Sequence, residues 1–185
     1  MARRISVKKL AYAVRNVEEA TGNVTYGKPV TIKKFIKIKT TDESSSYTFY
    51  SDGGVEESST RLSKVTGELE LGYLPAELRK MLFGNAYDEE TGLLVRGASD
   101  VPANVALLYS MEKSDGNEDF RVLYNCSLSM KETESSTRED SIEGQTFSLE
   151  FTAIPEANGS VDAEACTDGG KMTAETWFGT VQVKK

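Results

Sequence analysis

Apolar and polar residues alternate with a period of two along most of the chain. Successive side chains of a strand point to opposite faces, so each alternating stripe predicts a strand with one buried face. Antiparallel sheets produce this pattern when one face is solvated. The longest stripe is Phe120, Val122, Tyr124, Cys126, Leu128 and Met130, and others begin at Leu10, Ile32, Val105, Phe147 and Val181. Turn signals around Gly22, Gly53, Gly92 and Gly116 separate the stripes.

One segment near the middle of the chain predicts a helix, Pro75–Phe83. Proline suits a first helical turn, and Gly84 can end the helix in the left-handed conformation. A shorter helical turn is expected at 174–178, with Thr173 as its cap and Gly179 as its end. The predicted fold is therefore mainly β, with two packed antiparallel sheets in a sandwich or barrel-like arrangement and one short flanking helix near 75–83.

Three polar segments interrupt the predicted strands. Residues 40–46 and 51–63 flank a short aromatic strand at 47–50, and Lys131–Gly144 is acidic and rich in Ser and Thr. The last segment has no apolar residue between Met130 and Ile142, so we expect it to be poorly ordered in a free subunit. We expect one domain over residues 1–185, with a basic N-terminal arm, a long loop at about 40–63 and a C-terminal extension at about 155–185.

Charge is distributed unevenly along the 185 residues. The net charge is −7, but the first 39 residues carry +8 and the remaining 146 carry −15. A basic end and an acidic body are electrostatically self-complementary, so copies could associate head to tail. The alternative is a set of solvated faces with an accidental asymmetry. The basic end lacks interleaved stacking aromatics, which disfavours a nucleic-acid-binding surface.

The chain offers little catalytic chemistry. It contains no histidine, the commonest general base and metal ligand. Cys126 continues an apolar stripe and is interpreted as a buried thiol, and Cys166 lies far from it. The acidic loop that holds Glu132, Glu134, Glu139 and Asp140 lacks the spacing of a calcium loop. We predict no enzyme activity, no cofactor and no metal, and neither a signal peptide nor a membrane span.

Four pieces of the chain, taken in order, resemble the major tail protein, or tail tube protein, of long-tailed phages with non-contractile tails, of the phi13 type. They are KKLAYAVRN to VTYGKPVTI (8–32), YSDGGVEESS to GELELGYLPAELRKMLFG (50–84), ESSTREDSIEGQTFSLEFTA (134–153) and ETWFGTVQV (175–183). The resemblance implies a tail tube fold and a structural protein whose copies form hexameric rings that stack into a tube for genome delivery. It further implies a place in the virion tail after assembly in the host cytoplasm. The partners would be the tape measure and tail terminator proteins, with DNA passing through without specific binding and with no membrane contact.

Two other functions stay open at this point. One is a monomeric β-sandwich binding or adhesion module, and the other is a related tail-end ring protein. A hydrolase that uses Asp and Glu pairs is disfavoured, because Glu68 and Glu70 are equally explained by a polar sheet face.

Under the tail tube interpretation, two sets of residues are candidates for function. The subunit-interface set combines the basic N-terminus, the acidic loop and two C-terminal aromatics: Arg3, Arg4, Lys8, Lys9, Asp52, Glu56, Glu57, Arg61, Trp177 and Phe178. The lumen-facing set is Glu68, Glu70, Glu112 and Glu150. We expect a neutral or negative inner wall, because fixed cations would retain DNA through phosphate contacts.

Overall fold

The computed structural model describes residues 2–51, 54–132, 146–167 and 172–183, and these form a mainly β architecture with two short helices. The strands of the described part are β1 (Arg4–Val17), β2 (Val24–Tyr26), β3 (Val30–Ile32), β4 (Phe35–Ser51), β5 (Gly54–Leu71), β6 (Ala86–Tyr87), β7 (Leu94–Val95), β8 (Val105–Lys113), β9 (Glu118–Glu132), β10 (Phe147–Ala153) and β11 (Asp162–Cys166). Helix α1 spans Ala76–Phe83 and helix α2 spans Ala174–Gly179. The predicted mainly β class is confirmed.

One large antiparallel sheet contains nine of these strands. Its order is β2-β1-β8-β9-β10-β5-β4, while β3 also pairs with β1 and β11 also pairs with β9. Strands β6 and β7 form a separate two-stranded sheet. Strand β3 pairs with β1 near one end of the sheet, whereas β4 lies at the other end. Only two residues, Lys33 and Lys34, separate β3 from β4 in the sequence. The two ends must therefore approach each other, and the sheet curls into a barrel-like form.

Two apolar clusters lie on opposite faces of the central strands. The first lies inside the curl and includes Leu10, Leu69, Leu107, Leu149 and Phe151, with Leu78 and Leu82 of α1 packed on it. The second lies on the other face and includes Ala11, Leu108, Phe120, Val122 and Trp177 of α2. Strand β8 is consequently buried on both faces from Val105 to Ser110.

The longest predicted stripe does not stay on one face. Phe120, Val122 and Tyr124 belong to the second cluster, whereas Cys126 and Leu128 belong to the first. Val105 pairs with Cys126 and Leu107 with Leu123, so β9 has one extra residue between these pairs. Asn125, at a φ of 44°, lies in this bulge. The extra residue reverses the side-chain alternation, and the strand exchanges its β11 partner for β10 at the same place.

Both predicted helices are present. Pro75 precedes α1, and Gly84 ends it at a φ of 71° with its N–H donating to the Lys80 carbonyl oxygen. The Thr173 hydroxyl accepts a hydrogen bond from the backbone N–H of Thr176 and so caps α2.

The long loop expected at 40–63 is wrong for the described residues, and the short strand expected at 47–50 is part of β4. Residues 40–51 lie in β4 and residues 54–63 lie in β5, and the two strands form one long hairpin. The expected basic arm is strand β1, paired with β8. The C-terminal extension contributes β11 and α2. Of the acidic segment, Lys131 and Glu132 lie in β9, and residues 133–144 lie outside the described residues.

Candidate assembly surface

The distal part of the β4–β5 hairpin extends past the neighbouring strand. Strand β10 pairs with β5 only from Val65 to Leu71, while β4 and β5 stay paired as far as Ser51 and Gly54. We call residues 43–51 and 54–64 the ribbon. At about 3.3 Å per residue, the ribbon is about 30 Å long. Within the described residues, neither of its outer edges has a strand partner.

Two large aromatic side chains are exposed on one face of the ribbon. Tyr47 is 57% exposed and Phe49 is 46% exposed, and their spacing of two places them side by side. Glu57 pairs across the strands with Phe49, and Arg61 pairs with Ser45, so both share this face. Glu57 and Arg61 are exposed, and neither forms an ion pair within the described part of the chain. Exposed aromatics on a two-stranded ribbon, which is marginally stable alone, indicate a binding surface.

The base of the ribbon is fixed by ionic contacts. The Arg121 side chain is 12% exposed, and its guanidinium lies 2.7 Å from Asp162 and 3.5 Å from Asp42 of β4. Lys64 Nζ lies 3.1 Å from Glu43 across the two strands of the ribbon. These contacts link β4 to β9 and β11, so the direction in which the ribbon leaves the barrel is set by the fold.

A second candidate surface is the solvated face of strands β4, β5, β10 and β9. We call it the polar face and define it by Lys37, Lys39, Glu68, Glu70, Lys131 and Glu150. Lys37 pairs with Glu70 and Lys39 with Glu68 across β4 and β5, and Glu150 of β10 lies beside Glu68. The opposite face of the same strands belongs to the first apolar cluster.

Charges on the polar face are balanced and mutually paired. Lys131 Nζ lies 2.5 Å from Glu68 Oε1 and 3.8 Å from Glu150 Oε1. The hydrogen bond from Lys131, together with the positive charges of Lys131, Lys39 and Lys37, lowers the pKa of Glu68. Three lysines face three glutamates, so these six side chains have no net charge at neutral pH.

The structure brings together three of the four residues expected in a lumen. Glu68, Glu70 and Glu150 lie on the polar face, whereas Glu112 lies on β8 between Ser6 of β1 and Glu118 of β9. Glu112 is therefore not part of the polar face, and the assignment of the four residues to a lumen stays a prediction. Alternation indicates which residues of one strand share a face, but it does not determine which strands are neighbours.

The basic residues near the N-terminus find partners within the chain. Arg4 Nε lies 2.7 Å from Asp119, and Lys8 Nζ lies 2.5 Å from Glu118. Lys9 Nζ lies 4.4 Å from the centre of the Phe178 ring, within reach of a cation–π interaction. Arg3 is exposed, and its backbone N–H donates to Ser114. Acidic residues of β9 thus neutralise charges that were expected to contact other copies.

Trp177 and Phe178 lie in the interior of this chain. Trp177 is 1% exposed and Phe178 is 8% exposed. The Trp177 ring stacks on Phe120 at 5.5 Å between ring centres, and Phe178 meets Phe120 edge-on. Both rings therefore pack in the second apolar cluster of this chain. Of the remaining interface candidates, Asp52 lies outside the described residues, and only the backbone of Glu56, within β5, is described.

A buried ionic cluster of Arg15, Tyr26 and Glu156 was not predicted from the sequence. The Arg15 guanidinium donates two hydrogen bonds to the Glu156 carboxylate, at 2.6 and 2.7 Å, and the Tyr26 hydroxyl donates a third at 2.6 Å. Burial opposes ionisation of Glu156, but the hydrogen bonds from Arg15 and Tyr26 outweigh it and lower its pKa. Burial, together with the Glu156 contact, raises the pKa of Tyr26. Its members are 130 and 141 positions apart in sequence, so no local pattern could reveal it.

Burial also raises the pKa of the Cys126 thiol, which is fully buried, as the sequence predicted. Across the described ranges, no group of three or more His, Cys, Asp or Glu side chains is placed to hold a metal ion. None of the helices in those ranges is long and apolar enough to cross a membrane.

Comparison with known proteins finds a structural likeness but no family. No family model matches the chain, and no curated protein matches it. Among solved structures, it is similar to a chain of the anti-feeding prophage (AFP) baseplate, determined by cryo-EM with 6-fold symmetrisation. The TM-score is 0.37 and the identity is 12%, over 92% of this chain and 98% of that chain. A likeness at this level carries no argument about function.

Proposed function

We propose that this protein is a structural subunit of a phage tail, whose copies assemble into stacked rings that form the tail tube. The ribbon is the observation that carries this proposal. It exposes Tyr47 and Phe49 on a long two-stranded element whose outer edges lack strand partners within the described residues. Such an element is stabilised when another chain covers it, and a subunit of a polymer always has that chain available.

The polar face supports a role as the wall of a channel. It spans four strands, so six copies would supply about 24 strands at about 4.8 Å, a circumference of about 115 Å and a diameter near 37 Å before strand tilt widens it. Duplex DNA, with grooves about 8 Å deep on either side, is roughly 20 Å across and would pass. Glu68, Glu70 and Glu150 offset the three lysines, and a balanced wall offers DNA few phosphate contacts that would hold it.

The sequence resemblance to major tail proteins supplies the remaining details of the proposal. Rings of six copies would stack in the virion tail, contact the tape measure and tail terminator proteins, and let the genome pass without specific binding. A tail-end ring protein would use the same surfaces but stop at one ring. Electron microscopy separates these two, because only a tube protein forms assemblies much longer than one ring.

A monomeric binding module is the second candidate function, and one observation favours it. Tyr47 and Phe49 form an exposed aromatic pair, as a carbohydrate-binding or adhesion surface does. Such a module would remain a particle of 20.3 kDa at all concentrations.

The deciding experiment measures assembly with and without the ribbon. Purified protein is concentrated and examined by size-exclusion chromatography and negative-stain microscopy. Rings or tubes support the tail tube proposal, and a lone monomer at every concentration contradicts it. In a matched variant, residues 47–59 are replaced by Asn-Gly, which joins the cross-strand partners Ser46 and Thr60 through a tight turn. We expect this variant to fold and to remain monomeric.

The polar face is tested separately by DNA binding. We expect no retention of duplex DNA by the purified protein at about 0.15 M salt. The variant Glu68→Lys with Glu150→Lys should bind DNA in a salt-sensitive manner, because it replaces two negative charges of the face by two positive ones. Tight, salt-sensitive binding by the unmodified protein would contradict a non-retaining wall.

A further inference from the structure

An apolar groove lies between strand β2 and the segment that follows α2. Its lining includes Val24, Tyr26, Lys28, Thr180, Val181 and Val183, and it encloses about 560 Å³. This volume falls within the range of about 300–1,000 Å³ that is typical of ligand pockets, so one or two aromatic side chains would fit. We call it the C-terminal groove.

The walls of the C-terminal groove are held by the fold. The Tyr124 hydroxyl donates to the Gln182 carbonyl oxygen, and the Gln182 side chain donates to the carbonyl oxygens of Thr176 and Thr180. On the other side, β2 pairs with Arg15–Val17 of β1. Within the described residues the second edge of β2 has no strand partner, so unpaired backbone groups accompany the apolar lining.

The ribbon has matching features. Phe49 is an exposed aromatic side chain, and Glu57 lies directly across from it on the neighbouring strand. The outer edge of β4 is also without a strand partner in the described ranges. The aromatic ring of the ribbon therefore matches the apolar cavity of the groove, and its carboxylate matches the Lys28 ammonium. Each of the two also has a strand edge that could pair with the other.

The two charges are complementary and available. Lys28 and Glu57 are both exposed, and neither has an ion-pair partner among the described residues. Tyr47 and Phe49 stay about half exposed in the folded chain, so the groove of the same chain does not take them. We propose that the ribbon of one copy docks in the C-terminal groove of a second copy, with Phe49 in the cavity and Glu57 against Lys28.

This contact joins two different surfaces, and its geometry has a consequence for assembly. Each copy in such a pair keeps one unused ribbon or one unused groove, so further copies can add. The contact rests on the proposed self-assembly and names the surfaces that would carry it. Backbone pairing between the two strand edges would supply affinity. The aromatic ring and the ion pair would fix the register of that pairing.

Charge reversal tests the pairing of Lys28 with Glu57. We expect Lys28→Glu and Glu57→Lys each to raise the protein concentration needed for assembly at least about tenfold, because like charges then face each other. The double variant should return to within a few-fold of the unmodified protein. Glu90→Lys, in an exposed turn, has the same change in net charge as Glu57→Lys and should assemble normally.

Mixing two blocked variants tests the head-to-tail geometry. Lys28→Glu has an intact ribbon, and Phe49→Ser has an intact groove, so an equimolar mixture should form one-to-one complexes that do not grow. Circular dichroism and the denaturation midpoint check that both variants fold, as expected for changes at exposed positions.

The outcomes separate this contact from the proposed function. If the unmodified protein assembles but both charge reversals assemble equally well, or the double variant fails to recover, the contact is wrong while the tail tube proposal stands. If both variants assemble poorly but their mixture forms no complex, the pairing of ribbon with groove is also wrong. If the unmodified protein never assembles, both proposals are wrong.

Discussion

Replacing Glu156 by glutamine should destabilise the subunit more than most single substitutions. The Glu156 side chain is 6% exposed and Arg15 is 15% exposed, so the change leaves a nearly buried guanidinium without its counter-charge. Removing one partner of a buried ion pair costs about 3–5 kcal/mol. Because the edge of Arg15 reaches solvent, we expect a loss of about 3 kcal/mol. At about 2–4 °C per kcal/mol for a chain of this size, the melting temperature should fall by about 6–12 °C.

The pH dependence of this loss is set by the direction of the pKa shift. The pKa of Glu156 is lower in the folded protein, so its ionised form stabilises the fold above its unfolded pKa of about 4.3. That stability is lost as the pH falls through the folded value. The free energy of unfolding of Glu156→Gln should therefore be lower than that of the unmodified protein by the whole amount at pH 7. The difference should shrink below about pH 4.

The assay is urea denaturation of monomeric protein at several pH values. Both proteins carry Glu57→Lys, so that assembly does not add stability by mass action. Tyr26→Phe is the matched control, because it removes one of the three hydrogen bonds to Glu156, and it should cost about 1–2 kcal/mol. A loss below about 1 kcal/mol for Glu156→Gln, or a loss that is the same at pH 7 and pH 3.5, would refute the reasoning.

Two further predictions concern packing and thiol chemistry. Gly67→Ala should lower the free energy of unfolding, measured by urea denaturation, by about 1–3 kcal/mol, because a Cβ there would overlap the Lys39 carbonyl oxygen and the Phe151 ring. Gly179→Ala, with open space around it, should leave stability unchanged. A thiol reagent should modify only one cysteine of the native protein at pH 7, because Cys126 is fully buried and its pKa is raised. Cys166→Ser should abolish the rapid reaction, and rapid modification of two thiols would contradict this.

Sequence patterns predicted the elements that bury a face and failed where both faces are exposed or both are buried. The stripe 147–153 became β10, and Pro75 and Gly84 bounded α1 closely. The stripe through Cys126 was interpreted as one face because a bulge at Asn125 leaves no mark in an alternating sequence. Contacts between residues far apart in the sequence, such as Arg15 and Glu156, could not be predicted either. The partner of each was set by strand order, which alternation does not encode.

Arg121 illustrates a sequence signal for a buried ion pair, namely a charged residue within an apolar stripe. It lies between Phe120 and Val122 in β9, on a strand buried on both faces, and its side chain is 12% exposed. A lone charge in such a strand must be paired, since burying it without a partner is costly. The structure supplies such a partner, because the Arg121 guanidinium donates a hydrogen bond to the Asp162 carboxylate.

Apart from the strand expected at 47–50, the ribbon was interpreted as loop because its composition is that of a surface on both sides. Residues 43–48 of β4 are mostly serine and threonine, and their side chains are largely solvated, so no apolar period appears. Yet Tyr47 and Phe49 recur at a spacing of two within that polar run, which is a strand period carried by two residues alone. In a protein that works by contacting copies of itself, a strand can lack a buried face in the free subunit and gain one on assembly. A pair of aromatics at strand spacing within a polar segment therefore predicts a strand that extends well beyond the aromatics, here through all of β4 and not only through residues 47–50.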